Sequence, residues 1–335
     1  MSDSTVIRNA RLAQQPGLYQ ISIEAGVVRC IEPMRAVKAA TLSPGQAIDS
    51  RAIDSRVIDV EGDWLSLGAV DLQINGALGL AFPDLRLADL DQLQRICELL
   101  WQQGVDGFCP TLVTTSLDNF HGSLAAIHAF QKKQSQQGCD RAAQVLGVHL
   151  EGPFLNEAKR GAHPAEFLQA LTLETVKTVL AGYSGIVSIM TLAPEQAVEQ
   201  AVIPWLTQQG ITVSLGHSLA TAEQAGQAFA QGATMVTHAF NAMPGLHHRD
   251  PGLLGVALTD SRVFCGFIAD GQHICSTMLD LLLRVGRGSV ELPMGGLFLV
   301  SDALSPLGLP DGTYPWDSRQ IEVVNGTARL ADGTL

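Results

Sequence analysis

From residue 64 onward, short apolar runs alternate with longer helical patterns, and this alternation constrains the fold of the 335-residue chain more than any other feature. Eight runs read as strands: 65–74, 107–113, 145–150, 186–192, 212–215, 234–237, 263–269 and 297–301. They are short and rich in branched or aromatic residues, as buried strands are. Between them, residues 87–103, 117–137, 173–181, 194–209, 220–231 and 276–285 carry apolar side chains at helical spacing. Eight strands with intervening helices predict an α/β chain with a TIM-like (β/α)8 barrel. A doubly wound open sheet is the alternative, but no Gly-x-Gly-x-x-Gly follows the first strand, and polar residues cluster after nearly every strand. A content of 33 glycines, with only 16% charged residues, suits a parallel sheet covered on both faces and joined by tight turns.

The flanks differ. Residues 1–62 contain three short strand patterns, around Val6, Tyr19 and Val27, and a Ser-, Ala- and Asp-rich stretch at 43–55 that reads as a solvated loop. After the barrel at 63–312, residues 313–335 include a hairpin pattern. Ile321-Glu322-Val323-Val324 and Thr327-Ala328-Arg329-Leu330 flank the turn dipeptide Asn325-Gly326. The hairpin is expected to rejoin the small N-terminal β unit.

In such a barrel every strand C-terminus opens on one mouth, so the polar residues that end apolar runs form one set. Glu151 ends the third run and is followed by Gly152-Pro153; His217 and His238 follow the fifth and sixth. One carboxylate and two imidazoles are the protein ligands of a catalytic zinc that keeps an open position. A histidine at one strand end is more often a hydrogen-bonded structural residue; three ligand types at three matching ends favour metal. His149 shares the face of Glu151 two residues away and reads as its support.

Asp302 ends strand eight. As a turn or cap residue it needs no further role. Facing a metal, it could take a proton from water activated there and deliver it to a departing amine, the two transfers that amide hydrolysis requires. On the first strand Asp71, Gln73 and Asn75 share a face by period two; neutral amides are weak zinc ligands, so this end is expected to supply hydrogen bonds and the site to hold one metal. His163, on the loop after Glu151, either polarises a substrate carbonyl or is a plain surface histidine. Asn241, Ala242, Arg249 and His273 follow strands six and seven; Arg and His beside turn N–H groups suit an anion, though Arg249 could also be an ion-paired loop residue.

The formal net charge of −12 argues against nucleic acid or an anionic membrane as partner. Six scattered cysteines without Cys-x-x-Cys spacing read as buried reduced thiols. No apolar run is long enough to span a bilayer, and Met1 to Thr5 lacks the basic and apolar regions of a signal peptide. A cytoplasmic location is expected.

Taken together, the blocks His149-Leu150-Glu151-Gly152-Pro153-Phe154, Lys159-Arg160-Gly161-Ala162-His163, Leu215-Gly216-His217-Ser218, Thr237-His238-Ala239-Phe240-Asn241-Ala242-Met243, Ala269-Asp270-Gly271-Gln272-His273 and Val300-Ser301-Asp302-Ala303 resemble, in order, those of N-acetylglucosamine-6-phosphate deacetylases in the amidohydrolase superfamily. The resemblance implies a TIM-like barrel plus a small β-sandwich domain built from both chain ends, and hydrolysis of N-acetylglucosamine 6-phosphate to glucosamine 6-phosphate and acetate. It implies one divalent cation, Zn2+ by expectation, on Glu151, His217 and His238, with Asp302 as acid/base. His163 would bind and polarise the acetamide. Asn241, Ala242, Arg249, His273 and Leu335 would contact the sugar phosphate, with Arg249 reaching the partner's substrate across a homodimer. Two departures stand out: Gln73-Ile74-Asn75 replaces the superfamily's His-x-His, and the family continues beyond the Asp-Gly-Thr-Leu motif that here ends at Leu335. Two other readings remain at this point. One is an amidohydrolase for a cyclic amide or nucleobase, which the missing His-x-His and the lack of a lysine in Met190-Thr191-Leu192 disfavour. The other is a sugar-phosphate-binding protein without catalysis.

Overall fold

The architecture is seen in a computed structural model, which describes residues 4–13, 15–34, 56–137, 140–286 and 296–334. The 43–55 stretch and Leu335 lie outside the described residues. The chain divides into two units, residues 1–68 and 69–335.

The first unit is a five-stranded sheet. β1 (Ser4–Leu12) pairs antiparallel with β2 (Gln15–Glu24), which pairs with β3 (Val27–Pro33); β4 (Arg56–Asp59) and β5 (Trp64–Leu65) lie parallel to β1. Ala10, Tyr19 and Ile21 form its small core.

The second unit opens with β6 (Ala69–Ile74), the hairpin β7 (Gly76–Ala77) and β8 (Leu80–Ala81), then α1 (Leu90–Gln102) and β9 (Val105–Val113). It continues through α2 (Leu117–Gln137), β10 (Gln144–Val145), β11 (Val148–Glu151), α3 (Leu173–Leu180), β12 (Val187–Leu192), α4 (Val202–Gln208) and β13 (Thr212–Leu215). After α5 (Ala222–Ala230) come β14 (Met235–Val236), α6 (Gly252–Ala257), β15 (Phe264–Phe267), α7 (Ser276–Gly286) and β16 (Gly296–Leu299). β6, β9 and β11 to β16 run parallel in that order, as expected of the barrel. Closure is made just past the last strand, where Asp302 N–H donates to Gln73 O (2.8 Å) and Asn75 N–H donates to Ala303 O (2.7 Å). The first strand's polar face and the residue ending strand eight thereby become neighbours.

Helices form where the apolar period demands a buried face. In α1, Leu93, Ile96, Cys97 and Leu100 recur at helical spacing and are all buried against the sheet. α5 starts on a capping box, Thr221 with Gln224. Two helices depart from the sequence reading: the 194–209 pattern gives only a 3-10 turn at Pro194–Gln196 and then α4, and α6 was not expected, because Gly-Leu-Leu-Gly-Val-Ala is too short and too uniformly apolar to show a helical period. Strand three is also shorter than its apolar run: Val145 pairs with Phe108 in β10, the chain breaks at Leu146-Gly147, and β11 begins at Val148.

The expected hairpin is present. β18 (Arg319–Val324) and β19 (Thr327–Leu330) pair around Asn325 (φ 51°) and Gly326 (φ 72°), the two left-handed residues that a tight hairpin turn requires. β17 (Gly312–Trp316) adds a third strand on the other side of β18. Among the described residues no helix is long and apolar enough to cross a membrane.

Candidate active site

The residues singled out at strand ends converge. Glu151 is the last residue of β11, while His217 and His238 each stand two residues beyond β13 and β14; all three are buried. Glu151 Oε1 lies 3.1 Å from Nε2 of both histidines, and the two Nε2 atoms lie 3.0 Å apart. Both turns depend on glycine. A Cβ on Gly152 would stand 2.3 Å from Thr114 Oγ1, at a backbone φ of +90°, and one on Gly216 would stand 2.8 Å from Thr237 Cβ. His217 (φ 48°), His238 (φ 28°) and Asp302 (φ 50°) hold left-handed backbone without being glycine. Such conformations cost on the order of 1–3 kcal/mol and concentrate at functional sites.

The triangle fits a cation. His217 Nδ1 donates to Lys159 O (2.8 Å), which fixes the tautomer and leaves the Nε2 lone pair facing Glu151. Protons alone serve three such atoms poorly, since each can bridge only two. Ligands about 2.0–2.1 Å from a tetrahedral zinc stand roughly 3.3 Å from one another, close to the observed edges. Among the described residues this is the one group of three or more His, Cys, Asp or Glu arranged to hold a metal ion. Burial penalises the Glu151 carboxylate, but in the metal-free fold its contacts with His217 and His238 outweigh this and hold its pKa well below the ordinary value. Burial also opposes protonation of His238, yet its bond to Glu151 and that charge raise its pKa.

Gln73 and Asn75 act as the sequence suggests, through hydrogen bonds. The Gln73 amide donates to Glu151 Oε1 (3.1 Å) and to Asp302 Oδ1 (3.2 Å), and Asn75 Nδ2 donates to Asp302 Oδ1 (2.7 Å). Asp302 is therefore held beside the triangle. Burial, then repulsion from Glu151, pushes its pKa up to about 7, where a carboxyl group can both accept and return a proton near neutral pH. Asp71 turns instead to the backbone N–H groups of Gln73 and Ser301.

His163 is buried, which removes its reading as a surface histidine. Thr114 N–H donates to its Nδ1 (3.2 Å), so the ring proton resides on Nε2. Burial first, then the neighbouring His217, lowers its pKa to about 3 and keeps it a neutral donor. Its loop is anchored by Arg160 on His163 O (2.6 Å) and by Arg319 of β18 on Ala162 O (2.6 Å). Sequence reasoning does not single out Thr114, although a polar pair, Thr114-Thr115, closes strand two as Glu151 closes strand three. His149 joins no ligand group. It donates from Nδ1 to Leu72 O (3.1 Å), bonds Thr191 Oγ1 through Nε2 (2.7 Å), and is buried with a pKa lowered to about 4.

All of this opens on a cavity of about 910 Å³ within the second unit. Asn241, Ala242 and His273 line it, together with Asp270, Trp316 and Arg329. Asp270 accepts from His273 Nδ1 (2.7 Å), which orients that ring. Arg249 is not brought in: it is exposed and does not line this cavity. Leu335, as noted, is not described.

Comparison with known proteins places the chain. The N-acetylglucosamine-6-phosphate deacetylase of Bos taurus is 39% identical over 290 residues, which cover 84% of this chain and 68% of that protein. The chain belongs to the N-acetylglucosamine-6-phosphate deacetylase family. An N-acetylgalactosamine-6-phosphate deacetylase from Escherichia coli O157:H7 is 31% identical over 336 residues, covering 98% of this chain and 79% of that protein. Among solved structures, the N-acetylglucosamine-6-phosphate deacetylase of Pasteurella multocida matches with a TM-score of 0.78 at 26% identity, covering 99% of this chain and 80% of that one. No family model matches. The resemblance read from the motif blocks, the barrel and the Glu/His/His group agree with family membership.

Proposed function

We propose that this chain hydrolyses N-acetylglucosamine 6-phosphate to glucosamine 6-phosphate and acetate, with Asp302 as general base and then general acid. The observation that carries the proposal is Asp302, with a pKa of about 7, held by Gln73 and Asn75 beside the Glu151, His217 and His238 triangle. When bound there, a divalent cation supplies Lewis-acid polarisation and lowers the pKa of water to about 7. Asp302 accepts one proton from the attacking water as its oxygen bonds the acetamide carbon. His163 offers its Nε2–H to the carbonyl oxygen as negative charge develops there. Asp302 then delivers the proton to the sugar nitrogen as the C–N bond breaks, so the amine leaves neutral, and the second water proton is released as the acetic acid formed ionises to acetate.

Buried nitrogen and carboxylate ligands suit zinc, although iron, cobalt and manganese accept the same set. Asn241, Ala242 and His273 on the cavity wall are assigned to the sugar phosphate. Arg249, exposed on its own loop, is assigned to the substrate of a second copy in a homodimer, and Leu335 to the sugar. A cytoplasmic role in amino-sugar catabolism follows from that substrate. The similarity to an N-acetylgalactosamine-6-phosphate deacetylase along almost the whole chain favours the galacto epimer as a second substrate.

The test is acetate release with added Zn2+ on both epimers, on unphosphorylated N-acetylglucosamine, and on uncharged cyclic amides. Turnover of the phosphorylated N-acetyl sugars, with the gluco epimer preferred, supports the proposal. Turnover of uncharged rings alone, or sugar-phosphate binding without acetate release, overturns it.

A further inference from the structure

Beyond the residues that meet substrate or cation, one carboxylate ties together the loops behind His217. Glu195 sits in the turn after β12, partly buried and outside the residues that line the cavity. Its Oε1 accepts from Asn156 Nδ2 (2.9 Å) and from Leu219 N–H (2.5 Å), and its Oε2 accepts from Ser218 Oγ (2.7 Å). These donors belong to two different loops, those following β11 and β13.

Both loops end on His217. Asn156 N–H donates to His217 O (2.9 Å), and Asn156 O accepts from Lys159 N–H (2.9 Å). Lys159 O in turn receives His217 Nδ1–H (2.8 Å), the bond that fixes the imidazole. On the other side Ser218 and Leu219 continue directly from His217, whose φ of 48° is left-handed. A non-glycine residue persists in that region only when its surroundings over-determine it. Glu195 supplies the restraint on both sides: it grips the loop that holds the ring and the backbone that carries it.

We propose that Glu195 is a positioning residue for His217, through which it sets metal affinity without taking part in the chemistry. The inference rests on the reading of Glu151, His217 and His238 as the metal centre. Partners that orient a metal-bound imidazole typically contribute about 10- to 100-fold in metal affinity. Removing Glu195 frees Asn156 and residues 218–219 together, so a loss in that range is expected. Turnover with the site saturated should change little, because Asp302 and His163 are held by Gln73, Asn75 and Thr114 instead.

The experiment is competition for Zn2+ against a chromogenic chelator, using the full chain as wild type, Glu195→Ala, Glu195→Gln and Asn156→Ala. Turnover at saturating Zn2+ and the visible spectrum of the Co2+-substituted protein are read on the same samples. Support is a zinc Kd raised about 10- to 100-fold in Glu195→Ala, a smaller rise in Glu195→Gln, which keeps the Oε1 acceptor, and a shifted Co2+ spectrum. Asn156→Ala should weaken zinc in the same direction, and adding it to Glu195→Ala should cost less than the product of the two effects. An unchanged Kd in a folded Glu195→Ala protein overturns the proposal, as does a loss of turnover at saturating metal with the Kd unaltered. Should Glu195→Ala fail to fold, Glu195→Gln and Asn156→Ala decide on the same readouts. A wild-type chain that binds no zinc would sink the metal-centre reading itself, a different outcome from wild-type binding that the variants leave untouched.

Discussion

Replacing Asp302 by Asn separates what this carboxyl does for catalysis from what it costs the fold. The two side chains have the same shape, and the carbonyl oxygen of the substituted amide can still accept from Asn75 Nδ2 and Gln73 Nε2, the two donors that hold Asp302 Oδ1. The barrel closure at Gln73 O uses only the backbone N–H of residue 302 and should survive. What is lost is a group able to exchange a proton, so acetate release should fall by about 10²- to 10⁴-fold, while metal content stays at the wild-type level. In the metal-free fold the same change should stabilise. A folded-state pKa of about 7, against 3.8 for the free side chain, corresponds to on the order of 4 kcal/mol at most, because one side of the carboxyl faces the cavity. The raised pKa means that the wild-type contribution is intact below about pH 3.8 and is lost as pH rises through about 7. Asp302→Asn should therefore match wild type near pH 4 and exceed it by a few kcal/mol at pH 8 in urea unfolding of chelated protein. Wild-type turnover in the variant, or no stability gain at pH 8, would refute the placement of Asp302 as a half-buried, proton-exchanging neighbour of Glu151.

His163→Asn should retain metal but lower kcat/KM by about 10²-fold, the size of effect seen when one donor to a developing oxyanion is removed; metal analysis and acetate release check both halves. The same variant should flatten the acid limb of the stability profile. With its pKa depressed to about 3, the wild-type histidine stabilises fully above its free value of 6.5, and that contribution is lost as pH falls towards 3; identical slopes in metal-free wild type and variant would contradict its burial as a neutral ring. Gly216→Ala should cost about 1–3 kcal/mol by overpacking, because its Cβ would stand 2.8 Å from Thr237 Cβ; urea unfolding at fixed metal concentration checks it.

Much of this site was legible because a parallel barrel sends every strand end to one mouth. Glu151, His217, His238 and Asp302 could be gathered from apolar runs that end in a ligand-type residue, before any distance was known. The period-two face of the first strand likewise made Gln73 and Asn75 hydrogen-bonding residues, although their target, Asp302, depends on closure between the first strand and the end of the last. Such non-local pairing leaves no trace in local pattern. His163 was ambiguous for a similar reason: its loop is fixed by Arg319, which lies 157 residues beyond Ala162 in sequence. The six-residue α6 escaped because two turns of small and apolar residues have no polar face to set a period. Arg249 shows the converse. Its residue type suggested an anion contact, but within one chain it stays on the surface, away from the cavity.

The most direct measurement is metal content and acetate release from N-acetylglucosamine 6-phosphate on one sample, before chelation, after it, and after Zn2+ is restored, with Glu151→Gln alongside. One divalent ion per chain is expected, with turnover lost and regained in step with it, and neither metal nor turnover in Glu151→Gln. Undiminished turnover in metal-free protein, or a full complement of metal in Glu151→Gln, would contradict the assignment of Glu151, His217 and His238.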